Sequence, residues 1–312
     1  MTLDLFGVDL FGEPVRPRPK SITAERFIVP PFSVLNARDG AWQDRKRAWI
    51  GLGIESEKGR GDDLTYGHSP SASFDHYRVK EGTRATTTVA GTSVFDPVLC
   101  EIAYAWMTAP GDMVLDPFAG GSVRGVVASA LGRRYHGIDL RSEQVESNRT
   151  QAESICHSPM PEWVCGDSRI EAERAPESDL VFSCPPYGDL EVYSDNPADL
   201  SAMDWHDFGV AYRSIIKSAV DRLRPDRFAC FVVGDIRDGR GLFRGLPGLT
   251  IDAFRDAGAD LYNDAVMVTH VGSASMRVAS HFNTSRKMPR VHQSVLWFVK
   301  GDPRVATARV CL

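Results

Sequence analysis

MVLDPFAGGS, residues 113–122, decides the fold of this 312-residue chain. Met113 to Leu115 read as a short buried strand, and an acid, a proline and two glycines then turn the chain off its end. Gly120 and Gly121 let backbone approach a ligand closely. They also open a helix that runs from about Val123 and stops near Gly132, a residue type that ends helices. Strand, glycine turn and helix in this order form the first unit of a parallel sheet.

The pattern repeats outward from this unit. A helix over Val98–Met107 leads into it. Beyond it come a strand (Tyr135–Asp139), a helix (Ser142–Ser154) and two strands (Trp163–Cys165, Asp179–Ser183). A helix (Trp205–Leu223), a strand (Phe228–Val233), a helix (Thr250–Ala257) and strands near Ala265–Thr269 and Ser294–Val299 follow. The expected class is α/β, a mostly parallel seven-stranded sheet with helices on both faces and an antiparallel edge hairpin made by the last two strands. The core domain runs over 98–304. A flexible arm (1–24), an irregular segment (25–97) with a short helix near Trp42–Gly51, and a tail (305–312) flank it.

Hydrophobic residues make up 43% and charged residues 25%, the balance of an ordinary globular protein. No apolar run reaches the roughly eighteen residues of a membrane span. The first residues carry acids where a secretory signal would carry bases, which argues against export and for a cytoplasmic protein. Six scattered cysteines show no zinc spacing, so no metal is expected, and they fit a reducing compartment. A net charge of −5 argues against nucleic acid in bulk. Its distribution does not, because Gly272–Lys300 holds Arg277, Arg286, Lys287, Arg290 and Lys300 and no acid.

Ligands of open parallel sheets sit beyond the carboxyl ends of the strands, and four such ends here carry telling residues. Asp116–Gly121 is the first. Asp139, about twenty residues on, is an acid placed to accept both hydroxyls of a ribose. Asp167, after Cys165-Gly166, is placed to accept from an adenine amino group, and Cys184-Pro185-Pro186-Tyr187 is the fourth end. No G-x-G-x-x-G run is present to hold a pyrophosphate. An acid at the head of the loop, Asp116, would repel pyrophosphate and suits a cationic sulfonium. The ligand so described is S-adenosylmethionine, with S-adenosylhomocysteine as its product.

DPFAGGS followed by GID, GDS and SCPPY resembles the DNA methyltransferases that act on exocyclic amino groups, with loop D-P-F-x-G-S-G and signature (D/N/S)-P-P-(Y/F). More narrowly, Val34–Lys46 resembles the VLN-x-R-x-G-x-WQ-x-RK opening of phage- and prophage-borne DNA methylases. The resemblance spans roughly residues 27–300 and implies a Rossmann-like methyltransferase fold. It implies cofactor contacts by Asp116, Pro117, Phe118, Gly120, Asp139, Asp167 and Ser183, with Phe95 and its neighbours against the methionine moiety. Ser122 stands where the family has its second loop glycine, which implies an altered backbone path.

The larger departure is Cys184, where the family has Asp, Asn or Ser. In the family that side chain and the next carbonyl accept from the target amino group, while the aromatic, here Tyr187, stacks on a base extruded from the duplex. Pro185 and Pro186 stiffen the turn and remove two N–H donors. A thiol accepts hydrogen bonds weakly, whereas a thiolate is a good nucleophile. Two chemistries therefore stay open: methylation at cytosine N4 or adenine N6, and carbon-5 cytosine methylation through Cys184, with Asp189 or Glu191 as the base. An RNA methyltransferase and a non-catalytic nucleic-acid binder are further alternatives.

Double-stranded DNA is the expected partner, held by basic groups on its phosphates. The segment 272–290, read as a long polar loop that orders on DNA, offers Arg277, Arg286, Lys287 and Arg290. Arg45 and Lys46, in the front segment, are further candidates, on a helix that caps the cofactor, touches DNA or packs on the core. The echo LDLFG then VDLFG, residues 3–12, resembles the peptide that docks bacterial proteins on the replication sliding clamp, or is two chance copies in an arm.

Overall fold

The computed structural model describes residues 22–55, 95–188, 193–269 and 274–310. The N-terminal arm with its LDLFG and VDLFG copies, Asp189 and Glu191 lie outside them, as does the side chain of Arg277.

Five parallel strands form the body of the sheet: β2 (Met113–Asp116), β3 (Arg134–Asp139), β4 (Glu162–Cys165), β5 (Ser178–Ser183) and β6 (Leu223–Val233). The antiparallel strand β8 (His292–Lys300) lies between β6 and β7 (Asp260–Val268). A three-residue strand, β1 (Val34–Asn36), pairs parallel with β7 and forms the edge. The order is β1-β7-β8-β6-β5-β2-β3-β4.

Apolar residues alternate along the strands, so each face buries its own core. On β6, Phe228, Cys230 and Val232 pack with α3 (Pro97–Met107), α4 (Val123–Ala130) and α5 (Ser142–Ile155). Ala229, Phe231 and Val233 pack on the other face with α6 (Ser168–Arg174), α7 (Trp205–Arg222) and α8 (Leu246–Asp256). The sheet is covered on both faces, as the alternating pattern requires, and the fold is a mostly parallel, Rossmann-like α/β fold.

Four features depart from the sequence expectation. The strands number eight rather than seven, because β1 is too short to show a period of two. The antiparallel pair is not an edge hairpin: β1 covers β7, and a helix, α9 (Ala274–Ser285), lies between β7 and β8 in the segment read as a loop. Residues 303–309 are not a tail but helix α10 (Pro303–Arg309), whose Arg309 pairs with Asp112 and Asp179. The irregular front segment holds α1 (Ile22–Phe27), β1 and α2 (Gly40–Ile50), and α2 is docked on α3.

That docking is polar and specific. Arg45 forks onto the buried carboxylate of Glu101 at 2.6 and 2.5 Å, and the Trp49 indole donates to the same carboxylate at 2.8 Å. Trp42, buried, donates to Asp96 at 3.2 Å, and Lys46 pairs with Asp96 at 3.1 Å. Of the three roles open to this helix, packing on the core is the one the contacts show.

At the opposite end of the strands, Asp179 is 1% exposed and ties β5 to β2, β6 and α10. It accepts from the Met113 amide at 3.0 Å, from Arg224 at 2.9 and 3.0 Å and from Arg227 at 3.1 Å. Burial opposes its ionisation, but the Met113 amide and the two arginines outweigh that and hold the carboxyl below its usual range. Asp179→Ala is expected to destabilise the fold by about 2–3 kcal/mol, below the roughly 3–5 of a fully buried pair because Arg224 keeps solvent access. Urea denaturation checks this, with the midpoint falling at unchanged slope.

Candidate active site

The strand order reverses about β2, whose neighbours are β3 and β5, and this is where open α/β sheets bind ligands. Register Leu115↔Val181 sets the glycine loop after β2 beside the Cys184–Tyr187 turn after β5. Both open into one cleft of about 680 Å3. Its wall includes Phe95, Pro117, Phe118, Gly120, Asp139, Asp167 and Cys184 to Tyr187.

Asp116 departs from the expected role. Its carboxylate is fully buried, is not part of the cleft wall, and is spent inside the protein. It pairs with Arg124 at 2.5 Å, accepts from the Tyr135 hydroxyl at 2.7 Å and the Phe118 amide at 3.2 Å, and takes the Ser183 hydroxyl. A carboxylate neutralised in this way offers no field to a sulfonium. Ser183, also fully buried and off the cleft wall, braces Asp116 and receives the Phe118 amide at 3.2 Å. Asp116 and Ser183 therefore shape the loop from beneath.

Arg124, which the sequence reading passed over, holds the same loop. Its guanidinium caps the carbonyls of Phe118 and Ala119 at 2.6 and 2.8 Å and lies 4.6 Å from the centre of the Phe95 ring. The signal was an arginine two residues inside a helix otherwise made of small apolar residues.

Gly120 has φ +51, a left-handed conformation that favours glycine. Its amide donates to Asp139 at 2.9 Å and its carbonyl accepts from Asn148 at 2.7 Å. Ser122 sits at φ −69, ψ −16, ordinary helical space, so the missing family glycine imposes no altered path. Its hydroxyl donates to Gln151 at 2.8 Å, and Gln151 in turn receives the amide of Glu55.

Asp139 ends β3, half-buried in the cleft wall. Burial raises its carboxyl to about 6, against the Arg141 and Gly120 amides that favour the charged form. Asp167 caps α6 and pairs with Arg169 at 2.6 Å. Burial works against its charge, yet the Arg169 side chain and amide prevail and keep the carboxyl low.

In the second half of the cleft, Cys184 is half-buried with Sγ 3.5 Å from the Tyr187 hydroxyl. Gln293, on β8, donates to that hydroxyl at 2.8 Å. The Tyr187 ring lies against Gly234, where a Cβ would fall 2.9 Å from it. Burial, with Cys184 adding to it, pushes the Tyr187 hydroxyl well above its usual range, so it stays a phenol. Gly234, Asp235 and Ile236, at the end of β6, complete this wall and are a fifth strand end that sequence reading left out.

The basic candidates divide. Arg45 and Lys46 are committed to Glu101 and Asp96, which corrects their expected role on phosphate, although Lys46 also borders the cleft. Arg290 borders the cleft and bonds the His292 carbonyl and the Ser294 hydroxyl at 3.1 and 3.0 Å. Arg286 is exposed and Lys287 half-exposed, both just past α9.

A family model described as DNA methylase matches residues 105–150, from the end of α3 through the glycine loop into α5. The Escherichia coli (strain K12) DNA adenine methyltransferase YhdJ is 44% identical over 48 residues, 15% of this chain and 16% of that protein. The Type II methyltransferase M2.DpnII of Streptococcus pneumoniae is 47% identical over 47 residues, 15% of this chain and 18% of that protein. The chain thus matches less than a fifth of the length of either curated relative. Among solved structures, TrmN from Thermus thermophilus is 18% identical with a TM-score of 0.43, over 65% of this chain and 48% of that one. Magnesium protoporphyrin IX methyltransferase from Synechocystis PCC 6803, solved with bound SAM, is 14% identical with a TM-score of 0.44, over 74% and 92%. The chain resembles the amino-methylating DNA methyltransferase family through the region of the glycine loop.

The raised carboxyl of Asp139 has a measurable consequence. If Asp139 holds a ribose, its hydroxyls bond best to the charged form, so affinity for S-adenosylhomocysteine should be constant above about pH 7. It should fall toward tenfold per unit below about 6. Calorimetric titration between pH 5 and 8 checks this, and an Asp139→Asn variant should bind more weakly with that step removed. The variant is the necessary control, because His292 on the same wall titrates below its usual value.

Proposed function

We propose that this chain transfers a methyl group from S-adenosylmethionine to an exocyclic amino group of a base in DNA, N4 of cytosine or N6 of adenine. The observation that carries the reading is the single cleft into which the glycine loop and the Cys-Pro-Pro-Tyr turn both open at the switch point of the sheet. The DNA methylase family model over residues 105–150 supports it.

The residues fit the cofactor. Asp139 would take the ribose hydroxyls, Asp167 and Ser168 would border the adenine and Phe95 the methionine end; all line the cleft, as do Pro117, Phe118, Gly120 and Gly121. When bound, S-adenosylmethionine supplies an electrophilic methyl group. The protein's part is to present the target nitrogen. The Pro185 carbonyl, on a turn stiffened by two prolines, accepts from the amino group, and Cys184 adds a weak acceptor. Tyr187 stacks on the extruded base, its ring set by Gly234 and its hydroxyl by Gln293. The nitrogen–methyl bond forms as the sulfur–methyl bond breaks, and the amino proton leaves to water.

Carbon-5 methylation through a Cys184 thiolate has one observation behind it: Arg124 lies within electrostatic reach of Cys184. Asp116 already neutralises that guanidinium, so it gives a Cys184 thiolate little net support. Amino methylation is therefore preferred. Double-stranded DNA is the proposed partner. A sliding clamp, through the LDLFG and VDLFG copies, is a second one carried by sequence alone. Among the described residues no helix is long and apolar enough to cross a membrane.

Transfer of labelled methyl from S-adenosylmethionine to unmethylated DNA tests the roles. Cys184→Ser should keep activity within about threefold, since a hydroxyl accepts at least as well as a thiol. Tyr187→Ala should lose roughly 5- to 150-fold, the worth of about 1–3 kcal/mol of base stacking. An inactive Cys184→Ser, with wild-type protein trapped covalently on a 5-fluorocytosine duplex, would move the chemistry to carbon 5.

A further inference from the structure

The end of β6 leads from the cleft wall into residues 235–245, a segment that holds Arg237, Arg240 and Arg244. It is a folded hairpin. Arg237 and Phe243 pair across it, the Asp238 amide donates to the Leu242 carbonyl at 2.8 Å, and Arg244 donates to Ile236 at 2.9 Å. Asp235 pins its base by accepting from the amides of Ile236, Gly245 and Leu246 at 3.0, 2.9 and 3.2 Å.

Its two acids face its own amides. Asp238 accepts from the amides of Arg240 and Leu242 at 3.0 and 2.9 Å and pairs with the Arg240 side chain at 3.0 Å, a solvent-exposed pair weak enough for a phosphate to replace. What points outward is cationic and apolar. The Arg240 side chain is 80% exposed, Leu242 is 57% exposed, and Phe243 is 47% exposed beneath the Arg237 guanidinium, 3.7 Å from its ring centre. On the other side, the Lys287 ammonium lies directly against Gly241 and leaves no room there for a Cβ. The hairpin therefore joins the basic stretch Arg286 to Arg290 along the mouth of the cleft.

We infer that hairpin 235–245 engages the DNA duplex beside the target base, with Arg240 on a phosphate and Leu242 as a wedge in the base stack. The inference rests on the proposed methyl transfer to DNA and deepens it. Cations match phosphates, and a large exposed apolar side chain between them matches the gap that an extruded base leaves in the stack. Single-stranded DNA needs no wedge, so Leu242 matters for duplex alone.

The test combines duplex binding, followed by fluorescence anisotropy across a salt series, with methyl transfer to one sequence in double- and single-stranded form. Arg240→Ala should lower the salt slope of duplex binding by about 0.9, one phosphate contact. Leu242→Ala should cut transfer to duplex about tenfold or more, while transfer to single strands stays within about twofold. Melting curves matching wild type show that both variants fold. An unchanged slope in Arg240→Ala together with undiminished duplex transfer in Leu242→Ala would overturn the inference. So would a wild-type protein that binds no duplex. Wild-type protein that transfers no methyl to either form, yet shows the Arg240 slope change, keeps the hairpin as a DNA contact and removes the methyltransferase reading instead.

Discussion

The buried ion pair between Asp116 and Arg124 is the constraint on which the cleft depends. Asp116 is fully buried and Arg124 is 4% exposed, so neither charge is solvated and each needs the other. Burial works against the guanidinium's charge, and Asp116 more than restores it. Through one carboxylate the pair reaches α4 by Arg124, β3 by Tyr135 and β5 by Ser183. Through one guanidinium it reaches the carbonyls of Phe118 and Ala119. The glycine loop is thus fixed from below, against the two strands that flank β2, before any ligand arrives.

A floor neutralised in this way leaves the selectivity of the cleft to groups at its rim. Asp139 presents a carboxylate at the end of β3, held by the Gly120 and Arg141 amides. Asp167 presents another, tied to Arg169. Across the cleft the Cys184 turn is braced by Gln293 from an antiparallel strand far away in sequence, so the two halves of the site are built by different parts of the sheet. In the proposed reading the cofactor half is built by β2, β3 and β4 and the target half by β5, β6 and β8, and the loops of these last strands carry exposed cations.

Much of this was legible in the sequence, because strand ends in a parallel sheet carry the ligand groups. Asp139, Asp167 and Cys184 to Tyr187 were all read correctly as strand-end residues and do meet in one cleft. Asp116 was placed correctly at a strand end but given the wrong partner. Nothing in DPF tells which way a carboxylate turns, and the arginine that claims it lies eight residues on. For Arg45 and Lys46 the sequence left packing on the core open beside a DNA contact, because the acids they pair with, Glu101 and Asp96, lie more than forty residues away. Short elements were missed for lack of periodicity: β1 has three residues, and α6 and α10 seven each. Helix α9 was read as a loop because of the Gly, Ser and Ala at its start. The β6 end was overlooked because Gly-Asp-Ile carries no motif by itself, although it shapes the seat of Tyr187.

The most direct measurement is the identity of the modified nucleoside. Purified protein is incubated with unmethylated DNA and S-adenosylmethionine, and the DNA is digested and read by mass spectrometry against standards. N4-methylcytosine or N6-methyladenine is the expected product. 5-Methylcytosine, or no methylated base on DNA that the protein demonstrably binds, would contradict amino methylation at the Cys184–Tyr187 turn.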